Sequence, residues 1–492
     1  MSVETQRSVN TSLARGAMSL PELVFTALAT LAPLTLVAAV MPLHFLVGGA
    51  AVPGGYIVAA AVMALFAVGL NTMLKYARSA GAFYLIIAKG LGKETGTASA
   101  MLAVLAYNAL QVSTYGAIGV YAADSIARWT GVTLPWWFYG LVVLAIVGFF
   151  GIRGITASAR VLATVLVLEI LALVVLAIAV IASDKSGPVP VEALNPGLIL
   201  RPESAAMFAL IFGAFMGFES TAIYSEEVKG GARTVRRATY IVVAFIGLFY
   251  GFMALVVLTA YGFDGIDAAA ADDPVGLVVQ LFAVFTNPVV YEVMNILLIL
   301  SAFAALLALH NASNRYVFTL GREGIIPRVF AHTGAKTSSP WVAGMLQSAV
   351  ALAVLLFCIF GNVDPYTGLL LLGSAIGFLA IILLWALCSL SVLRYLRRTH
   401  PDEGLWRTTI APALAFVGLV AATVAVIVNF DLYSGGDPVV NVVVFALTIA
   451  AAVGGIARAL YLKRNRPEVY AVLATQSAAD DEEEPQPQAA TS

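Results

Sequence analysis

Twelve apolar runs of about 20 residues recur along the chain, and they constrain its fold more than any other feature. A run of this length crosses the hydrocarbon core of a bilayer as an α-helix. Of the 492 residues, 61% are hydrophobic and 11% charged, whereas soluble proteins carry about 25% charged residues. The pattern therefore predicts an all-α polytopic membrane protein, with spans at residues 21–45, 53–76, 95–127, 134–152, 156–183, 204–225, 238–262, 289–320, 340–360, 366–396, 409–429 and 438–462.

Lysine and arginine predict the orientation of these spans. With a cytoplasmic N-terminus, 24 of the 27 basic residues fall in inner segments or at inner helix ends, which leaves Arg128, Lys185 and Arg201 outside. The positive-inside rule thus predicts a cell inner (cytoplasmic) membrane protein with both termini cytoplasmic. The first apolar run is too long for a signal-peptide core, so we interpret it as an uncleaved span.

The sixth span contains features that a straight membrane helix does not need. Gly213 and Gly217 each cost about 1 kcal/mol relative to alanine in a helix interior. Glu219 places a carboxylate within the membrane, at about 2.5–3.5 kcal/mol on insertion scales. Irregular backbone persists in a bilayer where it is buried in protein or lines a cavity. We therefore interpret residues 213–219 as a helix break that faces a solvated site; the alternative is a straight helix with close-packing glycines.

The first span carries a second interruption. Pro33 lies near its middle, where it removes one backbone hydrogen bond and clashes with the preceding turn. Spans one and six hold corresponding positions if spans one to five and six to ten form two inverted repeats. Paired interruptions of this kind point to the binding site of a transporter.

Several motifs together resemble a known family. They are APLTLVAAVMP in span one, AGAFYLIIAKGLG after span two, AYNALQ in span three, GFESTAIYSEEV followed by RTVRRATY around span six, and LALHNASNRYVFTLGREGIIPRVF from span eight onward. Through spans one to ten the chain resembles the amino acid–polyamine–organocation (APC) superfamily of secondary transporters, and within it the bacterial amino acid permeases.

The resemblance implies a LeuT-type fold of two inverted five-helix repeats with broken helices one and six. The expected organisation is a cytoplasmic N-terminus (1–20), a transporter core (21–396, with repeats at about 21–183 and 204–396), two further helices (407–463) and an acidic disordered cytoplasmic tail (464–492).

The resemblance also implies that the unwound parts of spans one and six hold the substrate. Freed N–H groups suit a carboxylate and freed carbonyls suit an ammonium group, and an amino acid carries both. Phe212, Phe215 and Phe218 either close over the bound side chain or pack between helices. Many relatives have a glycine-rich first break, which this chain lacks. The expected substrate-binding residues are Leu31, Ala32, Pro33, Leu34, Gly213, Ala214, Phe215, Gly217, Phe218 and Glu219.

Energy coupling is predicted from the intramembrane carboxylates. Glu169 is the one charge in span five beyond its cytoplasmic end, where proton-coupled relatives have a lysine. Desolvation favours the protonated form of a carboxyl group, which suits proton exchange, so we predict Glu169 as the proton carrier and Glu219 as the second candidate. A sodium site needs adjacent hydroxyls in span eight, and Ser301 is followed by Ala302, so a cation site at Ser301 is the weaker alternative. Two further alternatives are that Glu169 binds a cationic amine or that it pairs with a polar neighbour.

Three further polar groups leave alternatives open. Tyr107, Asn108, Gln111 and Tyr115 form one side of span three and either line the substrate path or join helices. His310 is more often a packed residue than a proton relay. Arg233, Arg236 and Arg237 set the topology, and they are also candidates to pair with Glu226 and Glu227 across an inner gate.

The resulting hypothesis is a proton-coupled permease for an amino acid or related amine, with an amino acid or polyamine exchanger as the nearest alternative. A membrane-embedded enzyme is disfavoured because the chain has no HExxH or GxSxG motif, and a channel because no filter repeat or ring of charges is evident. The two cysteines form no metal motif. We expect no cofactor, metal or nucleic-acid partner; the expected partners are the substrate, a proton and the lipid bilayer, and the oligomeric state stays open.

Overall fold

The chain is all-helical in a computed structural model that describes residues 13–153, 155–273, 276–335 and 337–475. Within these residues the only extended pairing is an isolated bridge between Met18 and Val228. Ten helical segments are long and apolar enough to cross a membrane, or eleven if one bent pair is included. The predicted all-α membrane class is therefore confirmed.

The α-helices that precede the charged segment after the second interruption form from the apolar runs, and several of them end next to a glycine or a proline. In chain order they are α1 (Leu20–Leu31), α2 (Pro33–Thr35), α3 (Met41–Gly48), α4 (Val52–Met73), α5 (Phe83–Leu91), α6 (Lys93–Thr130), α7 (Trp136–Arg153), α8 (Ile155–Ile181), α9 (Pro196–Ile199), α10 (Ala205–Ile211) and α11 (Ser220–Ile223).

The remaining α-helices follow the charged segment after the second interruption. They are α12 (Gly231–Phe245), α13 (Gly251–Tyr261), α14 (Ile266–Asp272), α15 (Leu277–Phe285), α16 (Pro288–Arg322), α17 (Trp341–Phe360), α18 (Leu372–Thr399), α19 (Ala411–Val428), α20 (Asp431–Ser434), α21 (Pro438–Asn465) and α22 (Pro467–Val472).

Short turns of other helical types join or extend these helices. Four π-helical turns lie within or at the start of long segments: Leu36–Val40, Ile246–Tyr250, Pro365–Leu371 and Trp406–Ile410. Among the described residues, seven 3-10 turns lie at ends and connections: Gly49–Ala51, Val191–Leu194, Pro202–Ser204, Phe212–Phe215, Tyr224–Glu226, Arg328–Ala331 and Pro401–Glu403.

The N-terminus of α1 shows how local chemistry starts a helix here. The carboxylate of Glu22 accepts hydrogen bonds of 2.7 Å from both the backbone N–H and the hydroxyl of Ser19. Pro21 occupies the first turn, where its missing N–H leaves no hydrogen bond unmade. The side chain of Glu22 therefore closes the first turn of α1 onto Ser19, the residue that precedes the helix.

Two of the segments between the long apolar helices contain short helices of their own. Residues 80–92 contain α5, and residues 273–286 contain α15. Before α15, the carboxylate of Asp273 accepts a 2.8 Å hydrogen bond from the N–H of Gly276. Pro274 lies outside the described residues.

Helix α6 lies at the centre of the bundle, where it packs against α5, α16, α18 and α21. Helix α1 packs against α8, α12 and α16, and the short α2 contacts α8 and α16. The first interruption, between α1 and α2, is thus enclosed by helices on several sides. This enclosure places irregular backbone inside protein rather than against lipid.

The segment expected to be a disordered tail begins with ordered structure. Helix α22 lies within it, and Leu473 and Ala474, which follow this helix, are buried. Residues 476–492, which hold the acidic part of that expected tail, lie outside the described residues, as do residues 1–12 of the expected cytoplasmic N-terminus.

Candidate functional site

The first interruption is a single residue with left-handed backbone geometry. Ala32 has φ 46° and ψ 70°, and it separates α1 from α2. Proline disfavours helical geometry in the residue before it and removes a helical donor, so Pro33 accounts for the position of the break. The N–H of Ala32 bonds to the carbonyl of Ala29 at 3.1 Å, which tightens the end of α1.

The second interruption centres on Gly217. After the 3-10 turn Phe212–Phe215, Met216 is extended with ψ 127° and Gly217 has φ 114°. That φ lies in a region that glycine alone adopts readily. Gly213 lies within the 3-10 turn instead, so of the two predicted glycines it is Gly217 that the break requires.

The two interruptions meet. A Cβ placed on Gly217 would lie 3.0 Å from the Cγ2 atom of Thr30 and 3.4 Å from a methyl group of Leu31. This close approach needs a residue without a side chain at position 217. The backbone of the second break is therefore packed directly onto the end of α1.

A cavity of about 130 Å³ lies beside this junction. Of the predicted substrate-binding residues, Leu31, Ala32, Gly213 and Ala214 line it. No charged side chain is among the described residues that line it. Its hydroxyl groups come from Thr30, Thr35, Ser113, Thr114 and Ser374. The cavity thus offers hydroxyls and backbone in an apolar surround.

The other predicted substrate-binding residues lie behind the cavity wall: Pro33, Leu34, Phe215, Gly217, Phe218 and Glu219 are not among the lining residues. Phe215 and Phe218 are fully buried. The ring of Phe218 contacts the rings of Phe66 and Trp385 at centroid distances of 5.8 and 5.4 Å. Phe218 therefore packs between helices.

The wall contributed by α6 was missed in the sequence. Leu110, Ser113, Thr114 and Ala117 line the cavity, and their spacing of three and four residues places them on one helix face. This spacing of small and hydroxyl-bearing residues was the signal that was available. The predicted side, with Asn108 and Gln111, faces α16 instead.

Contacts between α6 and α16 account for those predicted polar residues. The Nε2 atom of Gln111 lies 3.3 Å from Nδ1 of His310, and the amide of Asn108 donates to the hydroxyl of Ser313 at 3.5 Å. Both His310 and Gln111 are buried. These groups join two helices, in agreement with the interpretation as polar contacts within the bundle.

Glu169 reaches the first interruption from α8. Its Oε2 atom accepts a 3.1 Å hydrogen bond from the N–H of Leu34, and the hydroxyl of Ser301 accepts one of 3.3 Å from the N–H of Thr35. These are the first donors of the helix that resumes after Ala32, which otherwise have no intrahelical acceptor. Glu169 and Ser301 thus complete the N-terminus of the second half of span one, at the positive end of its dipole.

Glu219 performs a similar task at the second interruption. Its side chain is buried and accepts hydrogen bonds from the N–H of Gly217 at 2.9 Å and from the hydroxyl of Tyr107 at 2.8 Å. Tyr107 belongs to α6, so the carboxylate connects the second break to the central helix of the bundle. Both predicted intramembrane carboxylates are therefore attached to interrupted backbone, one at each break.

A layer of ion pairs follows the second interruption. Arg315 and Glu227 are both buried and make two contacts of 2.6 and 3.0 Å, while Arg322 and Glu226 contact at 2.7 and 2.9 Å. The interpretation that the arginines of α12 are the partners of these glutamates is wrong: Arg233, Arg236 and Arg237 are exposed, and the side chains from α16 take that place.

In the described part of the chain, no group of three or more histidine, cysteine, aspartate or glutamate side chains is placed to hold an ion. Cys358 and Cys388 are both buried and unpaired with each other.

Comparison with known proteins assigns the family. A family model described as amino acid permease matches residues 23–453. A probable GABA permease of Pseudomonas aeruginosa is 25% identical over 313 residues, which cover 55% of this chain and 64% of that protein. The gamma-aminobutyric acid permease of Bacillus subtilis is 24% identical, over 63% of this chain and 72% of the relative. The branched-chain amino acid permease BcaP of Lactococcus lactis is 25% identical over 46% of each.

These similarities confirm the resemblance that the motifs carried. The matched part of the chain spans just under two thirds of the Pseudomonas relative, so the match with that protein concerns its family rather than its particular substrate. The family model, in contrast, matches most of the chain. The chain therefore belongs to the amino acid permease family of the APC superfamily.

Proposed function

We propose that the protein is a secondary transporter that moves a neutral amino acid across the cytoplasmic membrane by alternating access, coupled to protons. The observation that carries this proposal is the cavity between the two interruptions, which are packed against each other at Gly217 and Thr30. Broken helices place substrate sites near the bilayer midplane in transporters of this kind. The family itself is one of permeases, which supports transport over catalysis.

A twelve-span topology fits the described helices. The segment Leu20–Met73 has 54 residues, more than twice the length of about 20 residues that one crossing needs, and it turns at Gly49 with φ 49°. Counting it as two spans, and adding the shorter apolar helix Trp136–Gly151, brings ten segments to twelve. We propose inverted repeats at about 21–183 and 204–396, with both termini cytoplasmic, as the distribution of basic residues indicates.

The lining of the cavity favours a substrate without net charge. A strongly cationic side chain would need a facing carboxylate, and Glu169 and Glu219 are both held on backbone N–H groups behind the wall. The zwitterion of an amino acid can instead be bound by dipoles. The hydroxyl of Thr35 lines the cavity, is buried, and has no hydrogen-bond partner among the described residues, so it is available to a ligand.

The contacts of Glu169 modify the expected recognition of the substrate carboxylate. The N–H groups of Leu34 and Thr35, which suit such a group, are taken by Glu169 and Ser301. We propose that the substrate carboxylate uses the cavity hydroxyls, and that its ammonium group uses carbonyls freed at the end of α1.

Glu169 is the proposed proton carrier. Its Oε1 atom is buried without a partner in the described structure, while Oε2 bonds to Leu34 within the first break. Protonation removes the negative charge that stabilises the helix N-terminus there, so the state of this carboxyl group acts directly on the geometry of the break. Glu219 already accepts two hydrogen bonds, which leaves it the second candidate.

Transport by purified protein in liposomes tests the proposal. We would measure uptake of labelled neutral, acidic and cationic amino acids and of amines, with and without an inward proton gradient. Saturable uptake of a neutral amino acid that the gradient stimulates is the expected result. In Glu169→Gln we expect the stimulation to disappear while exchange of internal for external substrate continues, because glutamine keeps an acceptor for the N–H of Leu34. Glu94→Gln, at the partly exposed pair with Lys463, is the matched control and should keep the stimulation.

The same measurement separates the alternatives. Uptake that requires preloaded counter-substrate and ignores the gradient would make the protein an exchanger and leave Glu169 a structural role. Preferred uptake of a cationic substrate would contradict the neutral site. Non-saturable flux would indicate a channel, and recovery of a chemically altered substrate would indicate an enzyme.

A further inference from the structure

Apart from the proposed substrate cavity, a positively charged pocket lies at the basic C-terminal end of α21. Here a pocket of about 630 Å³ is lined by Arg328, Arg458 and Arg466, with Tyr461 and Glu468. Three arginines and one glutamate give it a net positive charge. On the orientation proposed above, the pocket lies on the cytoplasmic side of the membrane.

The arginines come from three separate parts of the chain, so the pocket depends on the fold. Arg328 belongs to the 3-10 turn after α16, Arg458 to α21, and Arg466 to the connection between α21 and α22. The Nε–H of Arg458 donates to the carbonyl of Ile325 at 2.8 Å, which holds this guanidinium group at the pocket and leaves its terminal N–H groups for a ligand. Fork-shaped guanidinium groups match phosphate oxygens well.

An apolar groove continues from the same place towards the middle of the membrane. It also measures about 630 Å³, and Ile326 and Arg458 line both the pocket and the groove. Val104, Leu346 and Gly454 contribute to its walls. Gly454 precedes Arg458 by four residues, or about 6 Å along a helix. The groove therefore begins at the charged pocket and extends at least one helical turn deeper.

We propose that the pocket and groove together form a binding site for an anionic phospholipid, with the phosphate on the arginines and an acyl chain in the groove. Basic pockets between helices on the cytoplasmic side suit anionic head groups, and the continuous groove makes the ligand a lipid rather than a free anion. The large exposed surface of α21, whose most apolar window is 17% buried, gives lipid direct access. The site is separate from the cavity at the helix breaks.

Native mass spectrometry of the full-length protein in detergent tests this site. The probes are phosphatidylglycerol, phosphatidylcholine with the same acyl chains, and inorganic phosphate. We expect retention of phosphatidylglycerol in preference to phosphatidylcholine, and no retention of phosphate. Basic residues near a membrane surface contribute about 1 kcal/mol each, so Arg328→Gln combined with Arg466→Gln should weaken phosphatidylglycerol binding about thirtyfold. Arg397→Gln combined with Arg398→Gln removes the same charge from the end of α18, where both residues are exposed, and should leave binding unchanged.

A second pair of variants tests the groove. A Cβ at Gly454 would meet no atom within 4 Å, so Gly454→Trp fills the groove without a clash at its first atom and should weaken binding of phosphatidylglycerol. Val442→Trp, at a position of α21 that is 68% exposed, should not. Equal retention of the two lipids, unchanged binding in the double arginine variant, or retention of phosphate alone would overturn the proposal. A change of oligomeric state in lipid-free Gly454→Trp would also overturn it, because a second copy of the chain would then occupy the groove.

Discussion

Neutralising one partner of the ion pair between Arg315 and Glu227 is expected to cost the protein about 3–5 kcal/mol of stability. The side chains are 3% and 2% exposed and make two N–H···O contacts of 2.6 and 3.0 Å. In Glu227→Gln the arginine stays buried and loses its counter-charge, although the amide oxygen can still accept one N–H, and the bond to the carbonyl of Asn311 at 2.8 Å and the position over the ring of Tyr224 at 4.4 Å remain. The cost arises from this uncompensated charge.

A double-mutant cycle isolates the pair itself. Arg315→Gln leaves the carboxylate uncompensated, whereas the double Gln variant leaves neither charge. We therefore expect the double variant to be more stable than the sum of the single changes predicts, with a coupling of about 2–3 kcal/mol, near the upper end for contacting residues. The partly buried pair of Arg322 and Glu226, at 18% and 11% exposure, is the matched comparison and should show a smaller coupling, since water reaches it more readily and weakens the attraction between its charges.

Urea unfolding of the detergent-purified variants, followed by tryptophan fluorescence, measures these differences. The wild type, the two single variants and the double variant are compared under one set of conditions. Strict additivity in the buried pair, or equal coupling in the two pairs, would refute the reasoning that burial gives the Arg315–Glu227 contact its magnitude.

Three further substitutions test single features. Gly217→Ala places a Cβ at φ 114° against the end of α1, so we expect a loss of about 1–3 kcal/mol with reduced uptake; wild-type melting and uptake would contradict the glycine requirement. Tyr107→Phe removes a 2.8 Å hydrogen bond to a buried carboxylate and should cost about 1–3 kcal/mol in an unfolding measurement, an unchanged midpoint being the contrary result. Burial raises the pKa of Glu403, but hydrogen bonds from Lys75 and Tyr76 outweigh it and hold the pKa below its usual range. The contribution of Glu403 to stability is therefore present above the unfolded pKa of about 4.3 and lost as pH falls through the folded pKa. Glu403→Gln should make the melting temperature depend less on pH in that acid range. The same pH dependence of the melting temperature in the variant and the wild type would contradict this.

Much of the fold could be predicted because a bilayer restricts the length and composition of its helices. Most of the apolar runs fall within the ten long apolar segments of the described residues, and Pro33 and Gly217 identified the two interruptions. Proline directly after an unwound residue and glycine at a positive φ act locally, so a few residues of sequence suffice to find them.

The partners of the buried charges could not be predicted because they lie far apart in the chain. Glu169 and Leu34 are separated by 135 positions, and Glu227 and Arg315 by 88. Sequence proximity favoured the arginines of α12, but that helix is amphipathic and turns Arg233, Arg236 and Arg237 towards solvent. The cavity wall on α6 was missed for a related reason. The more polar side of that helix forms hydrogen bonds with α16, and the less polar side faces the cavity.

The left-handed geometry of Ala32 has a consequence for selectivity. An alanine at φ 46° is less favourable than glycine by about 1–2 kcal/mol, and Pro33 restricts the backbone on its other side. A glycine-rich break samples many geometries, whereas Leu31-Ala32-Pro33 has few available. A site with so little conformational entropy loses little of it when a ligand binds. The same stiffness leaves few ways to adapt to a ligand of another shape, so we expect this transporter to accept a narrow range of substrates.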